Sequence, residues 1–300
     1  MDTRTGSIET PHGNGQLPKH PVILFKCRDK TLRLHERTHI MGILNITPDS
    51  FYDGGRYGDT DSALRHAGEM IEEGADIIDV GGESTRPGAP GVSEEEELRR
   101  VIPVIREIQK RFDTVISIDT TKEKVAREAL LEGASIVNDI SGLTYSHGIA
   151  EAVSAYGAGI VLMHTPSRPI DMQDKTEYVS LIDDILSSLR TSVKKAEEAR
   201  VNERSIIVDP GFGFGKTAEQ NLIILKNLKL FRELGKPVMI GTSNKSFIGK
   251  ITGGSPDERN EGTAATVAIG IMNGASIVRV HDVASMKRAV RIADAVAGIN

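Results

Sequence analysis

The sequence predicts an α/β protein folded as a closed (β/α)8 barrel, in which eight parallel strands are each followed by a helix. Two observations carry that expectation. From Ile40 to the end, short apolar runs alternate with longer segments of helical period, the pattern of repeated βαβ units. One αβ turn also recurs four times, as EGADII (73–78), EGASIV (132–137), YGAGIV (156–161) and NGASIV (273–278). In each copy the Gly suits the left-handed residue that ends a helix, the Ala packs closely, and β-branched residues open the next strand.

The first twenty residues contain Gly6, Pro11, Gly13, Gly15 and Pro18 and no periodicity, and read as a disordered tail ahead of a single barrel domain over 21–300. Val22–Cys27 and Thr31–Leu34 flank Arg28, Asp29 and Lys30, which predicts a hairpin able to plug one end of the barrel. The eight strands follow at Ile40–Leu44, Ile77–Val80, Val115–Ile118, Ser135–Val137, Gly159–Met163, Ile206–Val208, Pro237–Ile240 and Ser276–Val280. Between them Ala63–Glu73 and Lys122–Leu131 are amphipathic, and Ser93 with Glu96 has the spacing of a capping box. The acidic run Glu94–Glu97 is explained by the helix macrodipole and solvent without a bound cation.

Composition bounds the function. With 39% hydrophobic residues in 300, the chain can bury one large core. A net charge of -5 gives no basic field for a nucleic acid. The single cysteine, Cys27, cannot close an internal disulfide, residues 1–20 lack the pattern of a signal peptide, and no run is long enough to span a membrane. Cytoplasm is the expected compartment.

Each apolar run is followed by polar chemistry: Asn45, then GGESTR at 81–86, Asp119, Asn138 with Asp139, His164, Asp209, Ser243 to Lys245, and Arg279 with His281. In a TIM-type barrel these positions converge on the mouth at the C-terminal strand ends. Asp119, Asn138 and Asp209 suit the hydrogen-bonding edge of a flat heterocycle, whereas Arg86, Arg279 and His281 suit an oxyanion such as diphosphate. Two motifs fail: GFGFGKT (211–217) would need Gly where Pro210 stands to be a P-loop, and its last glycine is misplaced for a dinucleotide fingerprint. The histidines lack zinc spacing, which leaves a labile Mg²⁺ held partly by substrate phosphates.

The segments GILNITPDSF (42–51), DVGGESTRPG (79–88), SIDT (117–120), VNDI (137–140), LMH (162–164), DPGFGFGK (209–216), TSNKSFIG (242–249) and RVHD (279–282) resemble, in order, those of bacterial dihydropteroate synthases. These enzymes join a dihydropterin diphosphate to p-aminobenzoate and release pyrophosphate. The resemblance implies that Asn45 binds Mg²⁺ and the diphosphate, which Arg279 and His281 also grip. Thr85 and Arg86 would sit in a mobile loop near both substrates. Asp119, Asn138, Asp209 and Lys245 would hold the pterin, with Met163 and Ile140 as apolar walls or simply as core. The p-aminobenzoate would lie between Thr85, Pro87, Phe214 and Ser243, its carboxylate near a helix starting at Ser243. Asp119, Lys245 and Arg86 are the candidates nearest the chemistry, and 49–57 and 84–90 would act as lids. A homodimer and sensitivity to sulfonamides are implied in the same way. One position departs: Asn244 stands where the family usually has Arg. A methyltetrahydrofolate-dependent methyltransferase and a non-catalytic pterin-binding protein are the alternatives.

Overall fold

The computed structural model describes residues 22–46, 56–255 and 258–299. The tail expected over 1–20 and most of the lid expected over 49–57 lie outside the described residues. Two residues of that lid, 56 and 57, already belong to the first helix, α1 (Arg56–Glu73).

Eight parallel strands close into a barrel: β3 (His39–Asn45), β4 (Ile77–Gly81), β5 (Val115–Asp119), β6 (Ile136–Asp139), β7 (Gly159–Met163), β8 (Ile206–Asp209), β9 (Val238–Ile240) and β10 (Ala275–Val280). The last strand pairs with both β3 and β9, which leaves the barrel sheet without an edge. Around the barrel lie α1, α2 (Glu94–Arg111), α3 (Glu123–Leu131), α4 (Gly148–Tyr156), α5 (Leu181–Glu198), α6 (Ala218–Lys226), α7 (Ser246–Thr252), α8 (Asn260–Met272) and α9 (Val283–Ala297).

The recurring turn behaves as its sequence predicts, since Gly74, Gly133, Gly157 and Gly274 all have positive φ, from 61 to 118°. The predicted capping box at Ser93 is only half made. Ser93 Oγ accepts the Glu96 N–H at 3.2 Å, but the Glu96 carboxylate turns to Arg99 and Arg100 instead of the cap. A guanidinium offers a charge-assisted bond that a cap N–H does not. The complete box is at Thr217 and Gln220, at the start of α6.

Alternation along the strands explains why the mouth is polar. Ile77, Val115, Ile136, Val161, Ile207 and Ile277 point inward and pack with Phe25, Cys27 and Leu34 of the hairpin, β1 (Leu24–Cys27) and β2 (Lys30–Arg33). The hairpin therefore plugs the N-terminal end. Its ring comes so close that a Cβ on Gly159 would lie 2.3 Å from Phe25 Cζ. Two residues further along, the same inner face carries Asp79, Ser117, Asn138, Met163, Asp209 and Arg279. The outward residues, such as Ile78, Val80, Ile116 and Ile118, join the core under the helices.

Candidate active site at the barrel mouth

The candidate residues lie at the C-terminal strand ends as expected, with Asn45, Asp119, Asn138 and Asp209 each the last ladder residue of its strand or next to it, and Arg279 one residue before the end of β10. Their backbones are held by inter-strand hydrogen bonds, so the side chains project from a rigid rim.

One neighbourhood forms around Arg279. Its Nε donates to Asp79 Oδ2 at 2.6 Å and its Nη2 to Asp119 Oδ2 at 2.7 Å. Asn138 Nδ2 donates to the same Asp79 oxygen at 3.1 Å. Asp79 is 0% exposed, and its Oδ1 has no partner among the described residues. The sequence reading missed Asp79 as a site residue by beginning each search after the apolar run. The usable signal was a carboxylate inside the run IIDV, two residues beyond an inward Ile. Burial raises the pKa of Asp119, Arg279 opposes the rise, and Asp79 adds to it. Gly81 stands in register between Asn45 and Asp119, and a Cβ there would lie 3.7 Å from Asn45 Oδ1 and 3.5 Å from Asp119 Cβ. Glycine leaves that space between the two side chains unfilled by a Cβ.

The second neighbourhood is built on β8 and the loop after it. Asp209 Oδ1 accepts the Gly211 N–H at 2.7 Å, and burial pushes its carboxyl up to about 6. Gly211, Gly213 and Gly215 are all left-handed, and at Gly211 a Cβ would strike His164 O at 2.0 Å. The three glycines let the loop fold compactly against His164 and Pro166. Lys245 Nζ lies 4.3 Å from the centre of the Phe214 ring, and burial lowers its pKa to about 8. Ile140, Met163, Met172 and Phe214 form one apolar cluster, so the wall residues do come together. His164 is absorbed structurally: Lys216 Nζ sits 3.0 Å from its Nδ1 and donates to Phe214 O at 2.8 Å. Asp139 likewise turns away, accepting from Ser141 and Leu143 N–H groups at 2.8 and 2.7 Å.

One expectation needs correction. The helix placed at Ser243 begins at Ser246, with Lys245 as a cap that makes no side-chain bond. Ser243 Oγ instead contacts His281 Nδ1 at 3.0 Å and accepts the His281 N–H at 3.2 Å. In the ligand-free site burial and the Arg279 charge lower the His281 pKa to about 4. Asn244 adopts φ 57°, donating its N–H to Thr263 Oγ1 at 3.2 Å and accepting from Arg259 Nη1 at 2.9 Å. Thr85 is half-buried and Arg86 and Pro87 are exposed in the β4–α2 loop, where the Gly88 N–H bonds Pro169 O at 3.0 Å. A separate cavity of about 500 Å³, lined by Leu34, Thr38, Arg232 and Pro237 among others, lies at the opposite end and shares none of these groups.

Fold and mouth together define a TIM-type barrel whose buried polar and charged side chains converge at the C-terminal strand ends. Residues 41–281 match the model of the pterin binding enzyme family. A dihydropteroate synthase of Bacillus subtilis is 51% identical over 268 residues, 89% of this chain and 92% of that protein. The crystal structure of the Yersinia pestis dihydropteroate synthase with a sulfonamide drug superposes with a TM-score of 0.86 at 40% identity, covering 92% of this chain and 100% of that one. The Xanthomonas albilineans dihydropteroate synthase with 4-aminobenzoic acid gives 0.86 at 39% identity, over 93% and 100%. The chain belongs to the pterin-binding enzyme family and, within it, to the dihydropteroate synthases, which are transferases of folate biosynthesis. No helix among the described residues is long and apolar enough to cross a membrane.

Proposed function

We propose that this mouth joins the methylene carbon of a dihydropterin diphosphate to the amine of p-aminobenzoate by dividing the work between its two neighbourhoods. The observation that carries the proposal is that Arg279 hydrogen-bonds Asp79 and Asp119, while Asp209, within reach of the Lys245 and Arg279 charges, hydrogen-bonds the Gly211 N–H instead. In its ionised form Asp209 accepts the 2-amino and ring N–H groups of the pterin, with Asn138 and Lys245 completing the edge and Met163, Ile140 and Phe214 walling the ring. Arg279 keeps Nε on Asp79 and turns Nη2 to a diphosphate oxygen, joined by an N–H of His281. That rotation frees Asp119 to face the methylene. As the C–O bond breaks, its electron pair leaves with the diphosphate and the positive charge on the pterin is stabilised by Asp119. The arylamine nitrogen then attacks, and the anilinium formed is acidic enough to lose its proton to water without a strong base.

Thr85, Pro87, Phe214 and Ser243 are the proposed p-aminobenzoate contacts, and Arg86 covers the diphosphate. Among the described residues no three His, Cys, Asp or Glu side chains converge as a metal cage. The Asn45 amide oxygen, with the space beside Gly81, fits a Mg²⁺ that takes its other ligands from diphosphate and water. Bound there, the ion would neutralise charge on the leaving group. Apolar Leu222, Ile223, Ile269 and Met272, 43 to 51% exposed on α6 and α8, support a homodimer, and the cytoplasm is the proposed compartment. The direct test supplies dihydropterin diphosphate, p-aminobenzoate and Mg²⁺. Dihydropteroate and pyrophosphate should form in equal amounts; pterin binding with no product would leave a binding protein, and methyl transfer from a methylated folate would make it a methyltransferase.

A further inference from the structure

The β4–α2 loop, which carries Thr85, Arg86 and Pro87, is pinned at its root by groups that the reaction does not use. Gly82 O accepts Arg100 Nη1 from α2 at 2.8 Å. Glu83 Oε2 accepts the Val92 N–H at 3.3 Å, drawing the two ends of the loop together, and is ion-paired with Lys122 Nζ. The same ammonium reaches Glu97 Oε2 at 2.5 Å, on a side chain 1% exposed whose other oxygen has no partner among the described residues. Lys122 is the N-cap of α3 and lies three residues after Asp119, with its N–H on Thr120 Oγ1 at 3.2 Å. One ammonium thus ties the root of the loop, the first turn of α2 and the strand end that presents Asp119.

Stability alone is a poor reason for this arrangement. Two carboxylates share one cation, and one of them, Glu97, is buried. Buried ion clusters are commonly no better for stability than apolar groups of the same volume. What they do supply is a fixed geometry, and here the geometry fixed is that of the loop relative to Asp119. Glu83 is the member on the loop itself, two residues before Thr85.

We infer that the Glu83–Lys122–Glu97 cluster is a positioning device that sets the β4–α2 loop over the mouth, with Glu83 a positioning residue for p-aminobenzoate. This rests on the reading of Thr85 and Pro87 as part of the p-aminobenzoate site. The test variant is Glu83→Gln, which frees the loop but leaves Lys122 paired with Glu97. Lys122→Met would strand the buried Glu97 and can prevent folding, so Lys122→Arg serves as the conservative control. Glu83→Gln should raise the KM for p-aminobenzoate about fivefold or more, leave the Kd of a non-reactive pterin within about twofold, and speed hydrogen exchange at amides 84–91. Lys122→Arg should stay near wild type. An unchanged KM with unchanged exchange would overturn the inference, as would parallel losses of pterin affinity and Tm, which would make the cluster merely structural. Thr85→Val, measured alongside, separates the two levels. If it raises the KM and Glu83→Gln does not, the anchor alone is wrong; if neither does, the reading of the loop as a substrate wall falls with it.

Discussion

Asp209 is a carboxylate whose neighbours do not compensate its burial. Among the described residues only the Gly211 N–H bonds it, and the charges of Lys245, Arg279 and Lys216 offset part of the desolvation, which leaves its carboxyl at about 6 instead of 3.8. The sign for folding follows: a raised folded-state value stabilises the protein below pH 3.8, and that contribution is lost as the pH rises through about 6. For ligand the sign is reversed, since two pterin N–H donors require the ionised form. The affinity of the ligand-free enzyme for a non-reactive pterin should therefore tighten as pH rises from about 5 to 7, by at most about tenfold per unit, and level off above. Calorimetry across that range checks it, and the limb should vanish in Asp209→Asn. A flat profile in the wild type would mean that Asp209 is already ionised without ligand or does not touch the pterin edge.

At the scale of elements, the periodic parts of the fold were legible in the sequence and the interactions between distant parts were not. Strand order, the hairpin plug and the four-fold αβ turn follow from alternation and glycine placement, which are local signals. Asp79 escaped because its meaning depends on Arg279, 200 residues away, and His164 looked like a site residue because its partner Lys216 sits in another loop. Asn244 shows the same limit: the resemblance to the family leads one to expect Arg there, but the backbone, at φ 57°, is in a region that Asn tolerates and Arg does not favour. Asn244→Arg should lower the KM for p-aminobenzoate while costing about 1 kcal/mol of stability, read from steady-state kinetics and thermal melts. At the other end, Gly159→Ala places a methyl against Phe25 and should destabilise by about 1–3 kcal/mol. Because the hairpin is remote from the mouth, kcat of the folded protein should not change, and Phe25→Leu should recover part of the loss. A Gly159→Ala protein with unchanged Tm would show that the plug is looser than its contacts indicate.

For the whole molecule, barrel closure decides which charges meet. Pairing β10 with β3 brings Arg279 into hydrogen bonds with Asp79 and Asp119, while Asp209 on β8 bonds the glycine loop and feels the charges of Lys245, Arg279 and Lys216. If the β4–α2 loop and Arg279 reorganise around the diphosphate, p-aminobenzoate should bind appreciably only once pterin diphosphate or pyrophosphate is present; equally tight binding to the empty enzyme by calorimetry would exclude that order. The most direct measurement compares Asp209→Asn with Asp119→Asn, taking kcat, KM and the Kd of a non-reactive pterin for each. Asp209→Asn should weaken pterin binding by about 1–3 kcal/mol and raise KM, because it loses an acceptor used in ground and transition states alike. Asp119→Asn should lower kcat and kcat/KM together with pterin affinity largely kept, because its charge acts when the methylene becomes positive. If Asp119→Asn loses pterin binding as badly as Asp209→Asn and shows no separate loss of kcat, the two carboxylates share one recognition role and the division of the mouth is wrong.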